Sequence, residues 1–422
     1  MESLMSVRYL VLLGADQFLR ERMIVAALRN FNCKVIAIVK NNVYLKNRFL
    51  DDLLQADPTN SEECIQALQS FMLSKPGSII GIVPCNDWTL LAATNISNFF
   101  KLPSLSLDTV IKSRDKFKMK NAFLQSDLLI PRIFEFKNFD ELNFLTKKLN
   151  YPVVIKPKDF GGSGGVIKVN SEEELFSAFK HCSEILNQYF EIFNISKEEY
   201  VVEEYISAKD EISVEIFVQN NEKHVIAVTD KYLGEEPWFA EIGHVVPSIY
   251  TNSNLVNDIA IKAVDALGID KGMCHVEMRI TPNNNVYLME VGARPGGDGI
   301  MDLVERVYNI NPYYLHIAAW LGEKVNFDNI KLTEPQGSAA IAFLKAPVGK
   351  ILKINPLNNY PKEIVSLYVN AKIGDISENA TCWRSREGIA EFYWNKKFDR
   401  KITDHLELAN KISNEIFEVE KL

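Results

Sequence analysis

Four glycines in five positions, Gly161-Gly-Ser-Gly-Gly165, separate two β-branched runs, Val153-Val-Ile-Lys156 and Val166-Ile-Lys-Val169. Such a stretch costs chain entropy, so a fold keeps it where backbone must turn sharply or approach a ligand closely. Its successive N–H groups can wrap phosphate oxygens, and Lys156 sits where the first run meets the loop. The loop is not a P-loop, because no Gly-Lys-Ser/Thr follows and it leads into a β run rather than a helix. A flexible hairpin tip is the plainer reading.

A second feature is acidic. Cys274-His-Val-Glu-Met-Arg-Ile280 and Val286-Tyr-Leu-Met-Glu-Val-Gly-Ala-Arg-Pro-Gly-Gly-Asp298 flank the turn Pro282-Asn-Asn-Asn285. On adjacent strands, Glu277 and Glu290 would reach one surface. Two carboxylates aimed at one point repel unless a cation lies between them, and Mg²⁺ favours carboxylate and phosphate oxygens. Arg294, four residues on, supplies a fork suited to phosphate or carboxylate. A salt-bridge ladder on an exposed sheet face would explain the same residues without a ligand.

With 422 residues the chain is expected to hold two to four domains, at roughly 100–200 residues each. Residues 8–100 alternate apolar β runs (Arg8–Leu13, Lys34–Val39, Ile79–Pro84) with helical periods (Gln17–Asn30, Ser61–Leu73, Trp88–Phe100), which predicts a parallel sheet covered on both faces. A ligand would lie at the C-terminal ends of its strands, but Gly-x-Gly-x-x-Gly is absent after the first. Beyond it, Ser113–Lys120 is expected to open a basic helix. A helix is expected at 171–190, a strand pair at 200–219 around a kink at Ser207–Asp210, and β structure at 223–250 with a loop carrying Trp238, Phe239 and His244. An amphipathic helix at 254–267, a β pair at 273–291 and, past Gly322, strands and a final helix near 403–420 complete the reading.

In this order, Asp115-Lys116, Lys156 with its glycine loop, Val201-Val-Glu-Glu-Tyr-Ile206, Glu211-Ile-Ser-Val-Glu215, Glu277, Glu290 and Arg294 resemble the ATP-grasp superfamily of carboxylate–amine ligases. Phe239-Ala-Glu-Ile-Gly-His-Val-Val-Pro-Ser248, the segment Glu290–Asp298 and Ser338-Ala-Ala-Ile-Ala-Phe-Leu-Lys-Ala-Pro-Val-Gly349 are similar to its L-amino-acid (dipeptide) ligase branch. The resemblance implies an α/β fold, α+β in parts. An N-terminal parallel α/β domain (1–103) would precede a split nucleotide-binding and catalytic domain (104–322, lid about 130–205) and a small C-terminal lobe (323–422).

It also implies roles. Lys116 and Lys156 would hold phosphate oxygens of ATP, cradled by Gly161, Gly162, Ser163, Gly164 and Gly165. Glu203, Glu204, Tyr205 and Ile206 would form the hinge beside adenine, with Glu211 near the ribose. Glu277 and Glu290 would bind Mg²⁺, or Mn²⁺ in its place, and Arg294 would hold the γ-phosphate and the developing acyl phosphate. On the substrate side stand Arg294, Gly297, Asp298, His244 and Glu241. Asp298 would bind an ammonium, unless it caps the helix Ile300–Tyr308, and His244 with Glu241 would orient the nucleophilic amine. His275 is expected to face away from Glu277 and pack. One departure matters: many family members carry a metal-binding Asn where this chain has Gly292, which leaves the metal to the two glutamates.

The expected reaction is ADP-forming: an amino-acid carboxylate is activated as an acyl phosphate and captured by an amine or second amino acid. A purine-pathway or carboxylase-type ligase and a non-catalytic nucleotide-binding protein are the alternatives. The partners are therefore small molecules, with a homodimer suggested by analogy. Charge argues against nucleic acid, since 47 basic and 55 acidic residues leave −8. Six scattered cysteines without a Cys-x-x-Cys element and no apolar run of about 18 residues point to a cytoplasmic protein off the membrane.

Overall fold

A computed structural model describes residues 7–16, 20–40, 50–326, 334–357, 360–395 and 404–420. The N-terminal sheet is wholly parallel: β1 (Arg8–Leu13), β2 (Lys34–Val39), β3 (Asp52–Gln55) and β4 (Ser78–Pro84) lie in the order β3-β2-β1-β4. Five consecutive residues of β1 and of β2 are buried, as expected for strands covered on both faces. The predicted strands are all present. β3 was not anticipated, because Asp52-Leu-Leu-Gln55 is only four residues with polar ends. Of the predicted helix Gln17–Asn30, Arg22–Asn30 is helical and 17–19 lie outside the described residues.

The predicted basic helix is two helices, Leu107–Arg114 and Lys116–Gln125. Asp115 divides them because its backbone is extended and its side chain accepts from the amides of Phe117 and Lys118, the geometry of an N-cap. Next comes a four-stranded antiparallel sheet, β5 (Ile133–Phe136), β6 (Val153–Pro157), β7 (Ile167–Val169) and β8 (Tyr200–Glu204), ordered β5-β8-β6-β7. The helix Glu172–Phe193 contributes Leu175, Leu186 and Tyr189 to a core of its own with Phe136, Ile155 and Tyr200. This unit, close to the expected lid, is a separate hydrophobic cluster from the main one.

The strand pair expected over 200–219 is not a pair. β8 belongs to the lid sheet, whereas β9 (Asp210–Gln219) belongs to the central sheet, and residues 205–209 cross between them. Both edges of β8 are already taken by β5 and β6, so β9 must find partners elsewhere. It finds them in β10 (Glu222–Leu233) and β12 (Lys271–Ile280). With β11 (Glu241–Val246), β13 (Val286–Gly292) and β14 (Ser338–Leu344), these lead an eight-stranded sheet. The later strands are β15 (Gly349–Ile354), β16 (Ile364–Val369), β17 (Ile376–Ser377), β18 (Gly388–Trp394) and β19 (Phe417–Glu420). The central order is β13-β12-β9-β10-β11-β14-β18-β16, and β17-β15-β19 form a small sheet.

The residues beyond 323 are thus hydrogen-bonded into the central sheet through β11 and β14, while Leu344, Ile351, Phe392, Ile412 and Ile416 form a local apolar cluster. The final helix is Asp404–Ile416, and the chain then turns into β19 rather than staying helical.

His316, fully buried, ties the first sheet to the central one. Its Nδ1 accepts from Met273 N–H at 3.0 Å, and Nε2 faces the Pro84 carbonyl at 3.1 Å, which fixes a neutral tautomer with the proton on Nε2. Burial pushes its pKa down from 6.5 to about 3. The fold therefore refuses a proton that the unfolded chain accepts below pH 6.5, so stability is full above 6.5 and falls as pH drops toward 3, by about 1.4 kcal/mol per unit. In urea unfolding, the stability gap between the wild type and His316→Leu should narrow by roughly 2 kcal/mol from pH 7 to pH 5; an unchanged gap would show that His316 is protonated in the fold.

Candidate active site

The lid hairpin β6–β7 delivers the glycine loop. Val153, Val154 and Ile155 pair with Val169, Lys168 and Ile167. Between them Gly162, Ser163 and Gly165 all have positive φ, near +66°, +58° and +70°, a backbone path that glycine adopts without the usual steric cost. A Cβ on Gly162 would lie 2.3 Å from Trp383 Cδ1, so the loop is seated against a side chain from the far end of the chain. Arg384, next to that tryptophan, lies over the Tyr189 ring and donates to its hydroxyl at 3.1 Å.

At the base of the loop, Lys156 and Lys116 are both nearly buried. Lys156 Nζ is 2.7 Å from Glu203, and Lys116 Nζ donates to the Phe160 carbonyl at 2.7 Å and to Glu290 Oε1 at 3.3 Å. Lys120 lies 3.8 Å from Glu203. Burial pushes the Lys120 pKa down to about 8. Glu203 would be raised by burial, but Lys120 and Lys156 outweigh this and hold it below the usual carboxylate range. Glu203 therefore serves as the anion that spaces lysines. Glu204 and Tyr205 turn outward, Glu204 pairing with Arg132 at 3.3 Å and Tyr205 donating to Glu236 at 2.7 Å, whereas Ile206 is buried and its carbonyl accepts from Arg279 at 3.1 Å. Tyr205, Lys209, Glu211, Lys231, Tyr232 and Arg279 line a cleft of about 560 Å³. Glu211 is held there by Arg279 Nε at 2.8 Å.

The two acidic strands pair in the register that sequence spacing suggested, with Glu277 on β12 directly opposite Glu290 on β13. Cross-strand neighbours in an antiparallel pair have Cβ atoms roughly 5 Å apart, so like charges there are destabilising without cations. Cations are present. Lys231 Nζ and His275 Nε2 lie 2.7 and 3.1 Å from Glu277 Oε1, and Lys116 reaches Glu290 Oε1. Burial would raise the Glu277 pKa, but Lys231 and His275 outweigh it and hold the carboxyl well below its ordinary value.

His275 does not face away. Residues two apart on a strand share a face, and its Nδ1 also meets Glu215 Oε1 at 2.8 Å. Burial disfavours its cation, yet Glu215 and Glu277 lift the pKa to about 9. It is an imidazolium clamped between two carboxylates.

Glu241, His244 and Asp298 also come together, their ligand atoms all within 4.8 Å of one another. His244, expected on a loop, is in strand β11 and fully buried. Its Nε2 is 3.6 Å from Asp298 and 3.9 Å from Glu241, so it reaches any amine only through them. Asp298 caps nothing: Gly299 holds the N-cap position of Ile300–Tyr308 without a side-chain bond. Asp298 instead accepts both Arg386 Nη groups, at 2.8 and 3.0 Å. Burial raises the Glu241 pKa, with Asp298 adding to the rise, whereas Asp298 is held well below its ordinary value by Arg386 against the effect of burial. Gly297 lies beside Arg20, whose Nη groups donate to the carbonyls of Gly296 and Pro295 at 3.2 Å each.

Arg294 donates Nε to Asp87 at 2.7 Å and Nη1 to its neighbour Pro295 O at 3.1 Å. Asp87, Lys231, Arg386 and Arg20 were not anticipated from sequence. Asp87 carries a signal that would have found it, since it follows the C-terminal end of a parallel strand, where α/β sheets place their ligands. Arg386 carries none.

Residues 149–302 match the model of the ATP-grasp domain. The chain carries an ATP-grasp domain. Among curated proteins, an alanine–anticapsin ligase of Bacillus subtilis is 23% identical over 217 residues, 47% of this chain and 45% of that one. A D-alanine–D-alanine ligase of Oceanobacillus iheyensis is 26% identical over 225 residues, 50% and 57% of the two chains. The chain spans about half the length of the curated relatives it matches. The fold extends further. The crystal structure of an L-amino acid ligase from Bacillus licheniformis superposes with a TM-score of 0.79 at 19% identity, covering 99% of each chain. That of N5-carboxyaminoimidazole synthetase from Staphylococcus aureus complexed with ADP gives 0.71 at 17% identity over 96% and 97%. The likeness of fold thus runs over nearly the whole chain. No helix among the described residues is long and apolar enough to cross a membrane.

The glycine loop offers the clearest perturbation. Gly162→Ala forces a Cβ into Trp383 and into a left-handed backbone, which should cost about 1–2 kcal/mol. It should also red-shift tryptophan emission in the wild type but not in a Trp383→Phe background. Equal shifts in both would show that Trp383 does not cover the loop.

Proposed function

We propose that the protein is an ATP-dependent ligase that joins an amino-acid carboxylate to an amine or a second amino acid, releasing ADP and phosphate. The observation that carries this reading is the cross-strand pair Glu277–Glu290, ringed by Lys116, Lys231, His275 and Arg294 within an ATP-grasp domain. The domain division 1–103, 104–322 and 323–422, with its lid, belongs to the same proposal. Similarity to the alanine–anticapsin, D-alanine–D-alanine and L-amino acid ligases favours an amino acid as the carboxylate donor.

The donor set fits a hard divalent cation. Each glutamate has one oxygen engaged by cationic side chains, and among the described residues no hydrogen bond engages Oε2 of either. An all-oxygen carboxylate pair suits Mg²⁺, or Mn²⁺ in its place, which would supply charge neutralisation for the transferring phosphoryl group. Gly292 brings no side-chain oxygen, so Glu277 and Glu290 would hold the ion.

The chain's own side chains do the rest. Lys116 and Lys156 stand as point charges beneath the glycine loop, ready to exchange a glutamate partner for phosphate oxygen. Arg294 presents its guanidinium to the charge that builds as the substrate carboxylate oxygen bonds to phosphorus and ADP departs. The amine then attacks the activated carbonyl, and phosphate leaves. Glu241, raised by burial, is the group placed to take the amine's proton, with Asp298 and Arg386 fixing it. The glycine loop, closed under Trp383, keeps water from the acyl phosphate.

A matrix of amino-acid pairs, assayed for ADP and phosphate with mass spectrometry of the products, tests the proposal. ADP should form only when an acid and an amine partner are both present. Arg294→Ala should lower kcat by about 10²–10³-fold, and Glu290→Ala should remove the divalent-ion dependence along with turnover. Turnover with bicarbonate or a ribonucleotide but no amino acid would favour a carboxylase or purine-type ligase. Nucleotide binding without ADP formation across the panel would leave a non-catalytic binding protein.

A further inference from the structure

Arg294 leaves β13 at a point where the chain has no side chain two residues earlier, at Gly292. What stands there comes from the other side of the molecule. A Cβ built on Gly292 would lie 3.3 Å from Asp87 Oδ1 and 3.3 Å from Arg294 Nε, closer than a side chain comfortably sits to either. The space that a side chain at 292 would fill is taken by the carboxylate of Asp87. Asp87 opens the short 3₁₀ turn Asp87–Thr89 after β4, which the Asn86 side chain caps by accepting from Thr89 N–H at 3.1 Å. The carboxylate therefore sits on an ordered turn.

Resting on the ligase reading above, we infer that Asp87 is the positioning residue of Arg294, with glycine at 292 leaving the pair uncrowded. The bond is directional. Asp87 Oδ2 accepts from Nε at 2.7 Å, and Nη1 is held by the Pro295 carbonyl at 3.1 Å, so Nη2 is the corner of the fork left for substrate oxygen. Carboxylate and guanidinium are both largely shielded, with side chains 18% and 17% exposed, where a charge-assisted bond is stronger than in water. Arg20 secures the same loop through the carbonyls of Pro295 and Gly296, and with Arg114 it adds further positive charge near Asp87. The N-terminal α/β domain thus reaches into the ATP-grasp domain and sets the angle at which its arginine meets the reacting oxygens.

A double-mutant cycle tests this with two readouts. In steady-state turnover, Asp87→Ala should lower kcat by about tenfold to hundredfold, the cost of misplacing a catalytic group by about 1 Å. The KM for ATP and the affinity for ADP by calorimetry should change less than about twofold. Asp87→Asn, which keeps a neutral acceptor for Nε, should lose less than Asp87→Ala. On an Arg294→Ala background, Asp87→Ala should change kcat less than about twofold, because the residue it positions is gone. Independent losses in the double mutant, or a rise confined to the KM of the amine substrate, would overturn the inference and make Asp87 a substrate contact. The second readout is thermal unfolding, which needs no substrate: the Tm loss of the double mutant should be smaller than the sum of the single losses. Additive losses there would show that the two side chains are not a pair. If the Tm losses are coupled but no amino-acid pair is turned over, the ligase reading fails while the placement of Arg294 by Asp87 stands. If amino acids are turned over with additive kinetics, the inference alone fails.

Discussion

The site depends on two carboxylates being forced opposite each other across an antiparallel strand pair. Glu277 and Glu290 face one another on β12 and β13, and nothing in backbone pairing relieves their repulsion. The surrounding fold does so by bringing cations from four separate elements: Lys231 from β10, His275 from β12 itself, Lys116 from a helix start, and Arg294 from the loop after β13. Breaking a buried charge pair by removing one partner is far more costly than the pair's net contribution to stability. Each of these cations is therefore held by the carboxylates as firmly as it holds them.

The same logic runs outward. Glu203 spaces Lys120 and Lys156, Glu215 braces His275, Asp298 binds Arg386, and Asp87 binds Arg294. Around the paired strands the site is an alternation of charges, beside the apolar core that the first and central sheets share. The three hydrophobic clusters lie around it: one spans the first sheet and the back of the central one, another fills the lid, and a third underlies the C-terminal strands. The charged groups are themselves largely buried, with Lys120, Glu203 and Glu215 almost wholly so. The cluster of residues 133–204 is separate from the main core, and Trp88 and Trp383 pack against it from the two ends of the chain.

Much of this was legible in the sequence. Strand runs in the first hundred residues, the glycine loop between two β runs, and the acidic pair flanking an Asn-rich turn are local patterns, set by period-two alternation and by turn chemistry. The structure differs from the sequence reading where a strand's partners, a strand's faces or a helix cap decided the outcome. Residues 200–219 read as one strand pair because both halves are β-rich, but the edges of β8 were already occupied. His275 was read as packing away from Glu277, although strand geometry alone puts both on one face. Ser113–Lys120 read as a single helix until the cap at Asp115 was visible.

By itself the sequence determined which segments are strands or helices, where the backbone must be glycine, and which acidic residues share a surface, because each of these follows from neighbours a few positions away. It could not determine that Lys231 and Arg386 belong to the site, that Asp87 pairs with Arg294, or that Trp383 seats the glycine loop. Arg294 and Asp87 are 207 positions apart, and Lys231 and Glu277 are 46 apart. An ion pair leaves no periodic trace along the chain. Its partner is chosen by which surfaces the folded layers bring together, and only the tertiary structure makes that choice.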